Sequence, residues 1–232
     1  MATNVTTPAL ILRRTNYGEA DRILTILTPE HGEMAVIARS VRKEKSKLAG
    51  GIELFAICEL GMVRSSTNVD GMWTLTSSRI IKFYDQIMTD YDRLQFGYDA
   101  IKQIANLSKV IDSPALYQTL SQVLQVLNNL QVDLRLVRIW FYLQLAKLRG
   151  SELNLLTDNN GMRLVEGASY DYEIGEKVFI YTEQGGRFTT EIIKLLRILN
   201  ANSAPILLRL GKIDGTTVSE ALYLAQIAAE SS

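Results

Sequence analysis

The spacing of hydrophobic residues changes near residues 82–88, and this change divides the chain into two parts. In the first part, apolar side chains form short runs that are separated by turn residues. Runs of this length and spacing predict β-strands. Five strands are expected, over residues 8–12, 23–28, 33–38, 55–63 and from residue 72 onwards, with a turn over residues 65–71 before the last one. Five short strands in about 80 residues favour a small closed barrel of the OB type.

After residue 88, apolar residues recur at steps of three and four, which is the spacing of one face of an amphipathic helix. One helix is predicted from Tyr91 onwards and a second after the breaker Asp112-Ser113-Pro114. Either Asp112 or Ser113 is a suitable N-cap, because Pro114 then takes the first helical position. Residues 134–148 are apolar on nearly all sides, which is typical of a helix at the centre of a bundle.

The pattern is weaker after residue 150. An irregular segment is expected over residues 151–188. Within it, residues 161–188 are rich in Gly, Tyr and acidic residues, and short strands are predicted near 162–165 and 177–181. Two further helices are expected, one over residues 191–199 and one that ends near Ala229.

The predicted fold class is therefore α+β. Residues 1–82 are expected to form an N-terminal five-stranded OB-type β-barrel that binds nucleic acid. Residues 83–232 are expected to form a mainly α-helical domain with a small irregular or β insertion.

Charge is concentrated in one loop of a chain whose formal net charge is zero. Residues 39–47, here called the basic loop, contain a single anion, Glu44, and five cations: Arg39, Arg42, Lys43, Lys45 and Lys47. A cationic loop on a small β module suits a polyanion, and nucleic-acid phosphates are the usual one. A loop whose charges only keep the protein soluble is the alternative interpretation.

Further cations are expected on the same rim of the barrel. Arg13 and Arg14 end the first predicted strand and Arg22 opens the second. In an antiparallel barrel these ends lie close together, and the end of the third strand can approach them. The sequence thus predicts a groove that neutralises phosphates, with Arg79 and Lys82 at its edge.

Tyr17 and Trp73 are the aromatic candidates for stacking on bases. Packing in a turn or in the core is the alternative for both, and we favour core packing for Trp73.

Catalytic and metal chemistry is poorly represented. The chain has one His, His31, in a turn and one Cys, Cys58, in an apolar run, so a disulfide within the chain and a thiolate zinc site are excluded. We therefore expect no catalytic site, no cofactor and no metal. The N-terminus lacks the features of a secretory signal and no apolar stretch is long enough to span a bilayer, which favours the cytoplasm.

Residues 9–42 resemble the N-terminal signature of the bacterial RecO family. The resemblance rests on the element Tyr17-Gly-Glu-Ala-Asp-Arg22, the turn at 28–32, and the basic loop followed by Leu48-Ala-Gly50. It covers roughly residues 8–80, and the segment Gly150-Ser-Glu-Leu-Asn-Leu155 resembles a later motif of the family.

The resemblance implies an OB-fold followed by a helical domain, in a DNA repair and recombination mediator that is nucleoid-associated. It implies binding to single- and double-stranded DNA, annealing of complementary strands, and recombinase loading with RecR and the C-terminal tail of the single-strand-binding protein. The matching DNA-contact candidates are the five cations of the basic loop, followed by Arg13, Arg14 and Arg22.

The chain departs from this family in one respect. Many members carry a four-cysteine zinc module after the central helices, but residues 155–188 contain no cysteine. We expect a zinc-free variant of this segment, stabilised by the packing of Tyr170, Tyr172, Phe179 and Tyr181.

Two other functions stay open at this point. The chain can be an RNA-binding OB module, or a non-catalytic scaffold in which the helical domain is the active part. An acidic, apolar peptide tail would need an apolar groove beside a cation, and the helical domain offers Arg135, Arg138 and Lys147 for this purpose.

Overall fold

The N-terminal strands close into a barrel in the computed structural model, which describes residues 2–64, 72–183 and 185–230. The strand order is β1-β2-β3-β5-β4, with strands β1 (Thr3–Tyr17), β2 (Asp21–Thr28), β3 (Gly32–Ala38), β4 (Ala56–Arg64) and β5 (Trp73–Phe83). A short parallel pairing of Val36 with Trp73 and of Ile37 with Thr74 closes the ring. The predicted five-stranded OB-type barrel is confirmed, while the predicted turn at 65–71 lies outside the described residues.

Strand β1 is longer than the predicted run at 8–12. Its first half, from Thr3 to Leu10, pairs with β4, and its second half, from Leu10 to Tyr17, pairs with β2. The register shifts between Ile11 and Arg13, which is a bulge that lets one strand bend from one neighbour to the other. Because polar residues dominate both ends of β1, hydrophobicity marks only its buried middle.

Apolar side chains from all five strands fill the barrel, and most of them are fully buried. Cys58 belongs to this core and is completely inaccessible. Burial raises the pKa of the Cys58 thiol to about 11, because a thiolate would lose its hydration there. At neutral pH this residue is therefore a small neutral packing group.

Helices α1 (Tyr91–Leu107) and α2 (Pro114–Leu127) belong with the barrel to a compact unit of residues 1–128. Ser113 caps α2 by accepting a hydrogen bond from the Ala115 N–H at 3.2 Å, with Pro114 in the first turn as predicted. This compact unit ends at Asn128, 46 residues after the domain boundary that the sequence suggests at residue 82. That boundary stays a prediction.

Residues 129–232 form a second compact unit with helices α3 (Leu134–Arg149), α4 (Thr190–Ala201) and α5 (Gly215–Glu230). Helix α3 contacts both α4 and α5. The Trp140 indole N–H donates to the Asn202 carbonyl at 3.0 Å, and Phe141 is fully buried. The prediction of a central helix at 134–148 is thus confirmed.

A three-stranded sheet occupies much of the segment that was expected to be irregular. Its order is β7-β6-β8, with β6 (Ser169–Glu173), β7 (Val178–Thr182) and β8 (Phe188–Thr189). The strand near 177–181 is confirmed, but the one at 162–165 is wrong, since Arg163 makes only an isolated bridge with Thr157. Strand β6 was missed, although its tyrosines alternate with acidic residues as in a half-buried strand.

The aromatic residues of this sheet pack on one another, as the sequence predicts, and their rings meet edge to face. Tyr172 and Phe179 have ring centroids 5.1 Å apart, and Tyr170 contacts both Phe179 and Tyr181. Among the described residues, no cluster of three or more His, Cys, Asp or Glu side chains is arranged to hold a metal ion. Within the same residues, no helix combines the length and hydropathy needed to cross a bilayer.

Candidate nucleic-acid interface

The basic loop leaves the barrel at the end of β3 and is anchored at both ends. Near its start, Val41 is only 2% exposed and packs in the barrel core. Just after its end, the Leu48 carbonyl accepts a hydrogen bond from the Ser78 hydroxyl at 2.9 Å, and the Leu48 side chain packs against the core. The cations therefore lie on a short segment whose two ends are held by the barrel.

The loop is also tied to the turn between β1 and β2, residues 18–20. The Arg42 backbone N–H donates to the Ala20 carbonyl at 2.9 Å, and the Arg42 guanidinium donates to the Gly18 carbonyl at 3.3 Å. The Ser40 N–H donates to the Asp21 carboxylate at 2.7 Å. As the sequence predicts, the end of β1, the start of β2 and the end of β3 meet at one rim.

Six of the predicted contact residues share this rim, and we call them the basic rim: Arg22, Arg39, Arg42, Lys43, Lys45 and Lys47. Arg22 is half-buried and its Nε donates to the Asn16 amide oxygen at 3.2 Å, whereas the five loop cations are exposed. Within the part of the chain that the structure describes, none of the six forms an ion pair. Their charges are therefore available to an external anion.

Arg14 is engaged elsewhere. Its guanidinium forms an ion pair with Glu53 at 2.8 Å and donates to the Ile52 carbonyl at 3.3 Å. These contacts tie β1 to the segment before β4, and they neutralise the charge locally. A role for Arg14 in DNA binding stays a prediction, and its structural role is the better supported of the two.

Arg13 faces a different surface from Arg14, because successive residues of a strand point to opposite faces. It lines a cavity of about 440 Å³ against helix α1, together with Tyr98, Lys102 and Lys109. Sequence reasoning did not single out these two lysines. Lys102 lies on α1, and Lys109 lies in the turn just after that helix ends. No described residue of the basic loop lines this cavity, so DNA contact by Arg13 stays a prediction separate from the basic rim.

Three of the remaining candidates also have partners. Arg79 forms an ion pair with Glu59 at 2.9 Å, directly across the β4–β5 pairing, and the Lys82 ammonium lies over the Tyr84 ring. Trp73 is half-buried against the barrel core, as favoured from the sequence. Tyr17 is 55% exposed where β1 ends, so it is the aromatic side chain next to the basic rim that can stack on a base.

A pair of adjacent glycines just after the loop allows a direct stability test. A Cβ atom on Gly51 would lie 2.5 Å from a backbone carbon of Ser78, whereas one on Gly50 would meet no atom within 4 Å. We expect Gly51→Ala to lower the free energy of unfolding by about 1–3 kcal/mol, because backbone must move to relieve the overlap. Gly50→Ala should change it by less than about 0.5 kcal/mol. Urea denaturation measures both, and equal effects would contradict the close approach.

Comparison with known proteins agrees with this architecture. A family model described as recombination protein O, N terminal, matches residues 1–84. A protein of Dehalococcoides mccartyi strain 195 named DNA repair protein RecO is 30% identical over 220 residues, an alignment that covers 92% of this chain and 85% of the relative. The chain belongs to the RecO family.

Some other RecO proteins match a smaller share of the chain. The DNA repair protein RecO of Roseiflexus is 36% identical over 132 residues, which is 56% of this chain and 45% of the relative. That of Synechococcus elongatus is 40% identical over 79 residues, which is 33% of this chain and 30% of the relative. The resemblance drawn from residues 9–42 is therefore confirmed at the level of the RecO family.

Proposed function

We propose that this protein acts in DNA repair and recombination by binding single-stranded DNA on its basic rim and annealing complementary strands. The observation that carries the proposal is the basic rim itself. Its five loop cations are exposed, and no ion pair to them occurs among the described residues. The loop that carries them is held against the barrel by Val41 and by the β1–β2 turn.

The proposed mechanism needs no covalent step and no cofactor. Two complementary strands repel each other through their phosphates, and a cationic surface that holds them lowers this repulsion. Holding the strands on one protein also raises their local concentration. Because bases must stay free to pair, contacts to phosphates should dominate, and sequence preference should be slight. Binding of double-stranded DNA and association with the nucleoid follow from the same contacts.

The proposal includes the two protein partners that the family resemblance implies, RecR and the acidic, apolar C-terminal tail of the single-strand-binding protein. A cavity of about 360 Å³ in the second unit supports the binding of this tail. Leu207 and Ile213 line the cavity beside Arg135 and Lys212, so apolar and cationic groups are both present. Arg135 is held by an ion pair with Asp133 at 2.7 Å. Lys147 suits the role less well, because its ammonium donates to the Asn200 carbonyl. In this proposal the two partners act with the protein to load a recombinase on the bound strand.

The test is fluorescence-anisotropy binding of the full chain to labelled single-stranded DNA, double-stranded DNA and structured RNA across a salt series. If four to six phosphates are neutralised, log affinity for single-stranded DNA should fall with log salt with a slope of roughly −3 to −4. Binding that is absent or independent of salt would overturn the proposal. Tighter binding to structured RNA would instead favour the RNA-binding alternative.

A further inference from the structure

The basic loop contains a backbone conformation that its surroundings must stabilise. Ser40 has φ +52°, in the left-handed region that side chains other than Gly rarely adopt. A residue held there costs free energy, and neighbouring contacts have to offset that cost. The Ser40 N–H donates to the Asp21 carboxylate at 2.7 Å, which is the short distance expected of a charge-assisted hydrogen bond.

Two further hydrogen bonds extend from Ser40 along the loop. The Lys43 N–H donates to the Ser40 carbonyl at 3.2 Å, and the Ser46 N–H donates to the Lys43 carbonyl at 3.0 Å. The bend at Ser40 therefore determines the path of the segment that carries Arg42, Lys43 and Lys45. Asp21 is the side chain that holds this bend from outside the loop.

Asp21 is also a charge of the wrong sign for its location. It is an acid at the start of β2, next to Arg22, and it contacts the basic loop, which is proposed to bind phosphates. If it acted only through its charge, it would weaken the binding of a polyanion. Its contact with Ser40 lets the carboxylate favour binding in another way, because it keeps the cations in one arrangement before DNA binds.

We infer that Asp21 is a positioning residue for the proposed nucleic-acid site, and that it acts through Ser40 on the conformation of the basic loop. This inference rests on the proposed function, because it names a residue on which that site depends. Charge and positioning have opposite effects on affinity, so substitution distinguishes between them.

Glu19 provides a matched control. It lies two residues before Asp21 in the β1–β2 turn, is exposed, and has no hydrogen bond or ion pair of its side chain among the described residues. Glu19→Ala and Asp21→Ala each remove one negative charge from the rim. If only charge matters, both should raise affinity for single-stranded DNA by about twofold. If Asp21 positions the loop, Asp21→Ala should instead lower affinity by roughly five- to tenfold.

Asp21→Asn is the conservative variant, because it keeps an oxygen acceptor for the Ser40 N–H and loses the charge. Its affinity should equal or exceed that of the wild type. Trypsin digestion without DNA gives an independent readout, since all five loop cations are cleavage sites. Cleavage within residues 39–47 should be several times faster in Asp21→Ala than in Glu19→Ala or Asp21→Asn, and circular dichroism checks that each variant is folded.

The outcomes separate this inference from the proposed function. Weaker binding and faster cleavage in Asp21→Ala, both restored in Asp21→Asn, would support it. Equal behaviour of Asp21→Ala and Glu19→Ala in a protein that binds DNA through the basic rim would overturn the inference alone. Weaker binding without faster cleavage would also overturn it, because Asp21 would then not act through the loop. A wild type that fails to bind nucleic acid would overturn both.

Discussion

Reversing three charges of the basic loop, in Arg42→Glu/Lys43→Glu/Lys45→Glu, is expected to lower affinity for single-stranded DNA by roughly 100-fold or more at 0.1 M salt. The three side chains are exposed on a loop whose ends are anchored, so the substitutions change the charge of the rim with little effect on packing. Counterion release from neutralised phosphates should also fall, which flattens the salt dependence by roughly two to three units of slope. Anisotropy titrations across a salt series measure both quantities.

The matched control is Arg163→Glu/Arg209→Glu/Lys212→Glu, in which three exposed cations of the second unit are reversed. It changes the net charge of the protein by the same amount. If DNA is held at the basic rim, the control should keep most of its affinity, because it leaves all six cations of the rim in place. Equal losses in the two variants would show that net charge, rather than this surface, governs binding, and would favour the scaffold interpretation of the barrel.

Phe141→Ala is expected to lower the free energy of unfolding of residues 129–232 by about 3–5 kcal/mol. Phe141 is fully buried on α3, the helix that contacts both α4 and α5. Removing the ring deletes buried apolar surface and leaves a cavity that a helix packed on two sides can fill only in part. Denaturant unfolding in a Trp73→Phe background measures the loss, because the neighbouring Trp140 is then the only tryptophan and reports on this unit.

Phe141→Leu is the control for this prediction. Leucine fills much of the same volume, so the free energy of unfolding should fall by less than about 2 kcal/mol. An effect of Phe141→Ala no larger than that of Phe141→Leu would mean that the site collapses around the deletion. Helix α3 would then be less central to this unit than its burial indicates.

The regular elements could be predicted wherever the hydrophobic period was local and strong. The barrel strands and α3 were found because apolar residues in short runs between turns, or around a whole helix, must be buried in a core. Strand β6 was missed because its buried positions are tyrosines beside acids, and composition suggested a loop. The ends of β1 were missed because pairing with two different strands, rather than hydrophobicity, keeps them extended.

The candidate site was predicted less completely than the fold. Arg13 and Arg14 are adjacent in sequence, yet one lines a cavity beside α1 and the other pairs with Glu53. Alternation along a strand separates them, but only the closed barrel determines what each face meets. The hydrogen-bond partner of Asp21, Ser40, is 19 residues away in the chain, so local sequence does not reveal the contact.

The sequence by itself determined the order and type of most elements, the position of the basic loop and the membership in the RecO family. These properties depend on neighbouring residues and on their spacing, which the chain displays directly. The tertiary structure decided which cations share one surface, which are neutralised by acids, and which side chain accepts a hydrogen bond from the loop backbone. Those properties depend on strand pairing between distant residues, because a charge acts on whatever lies within a few ångströms of it, wherever that neighbour lies in the chain.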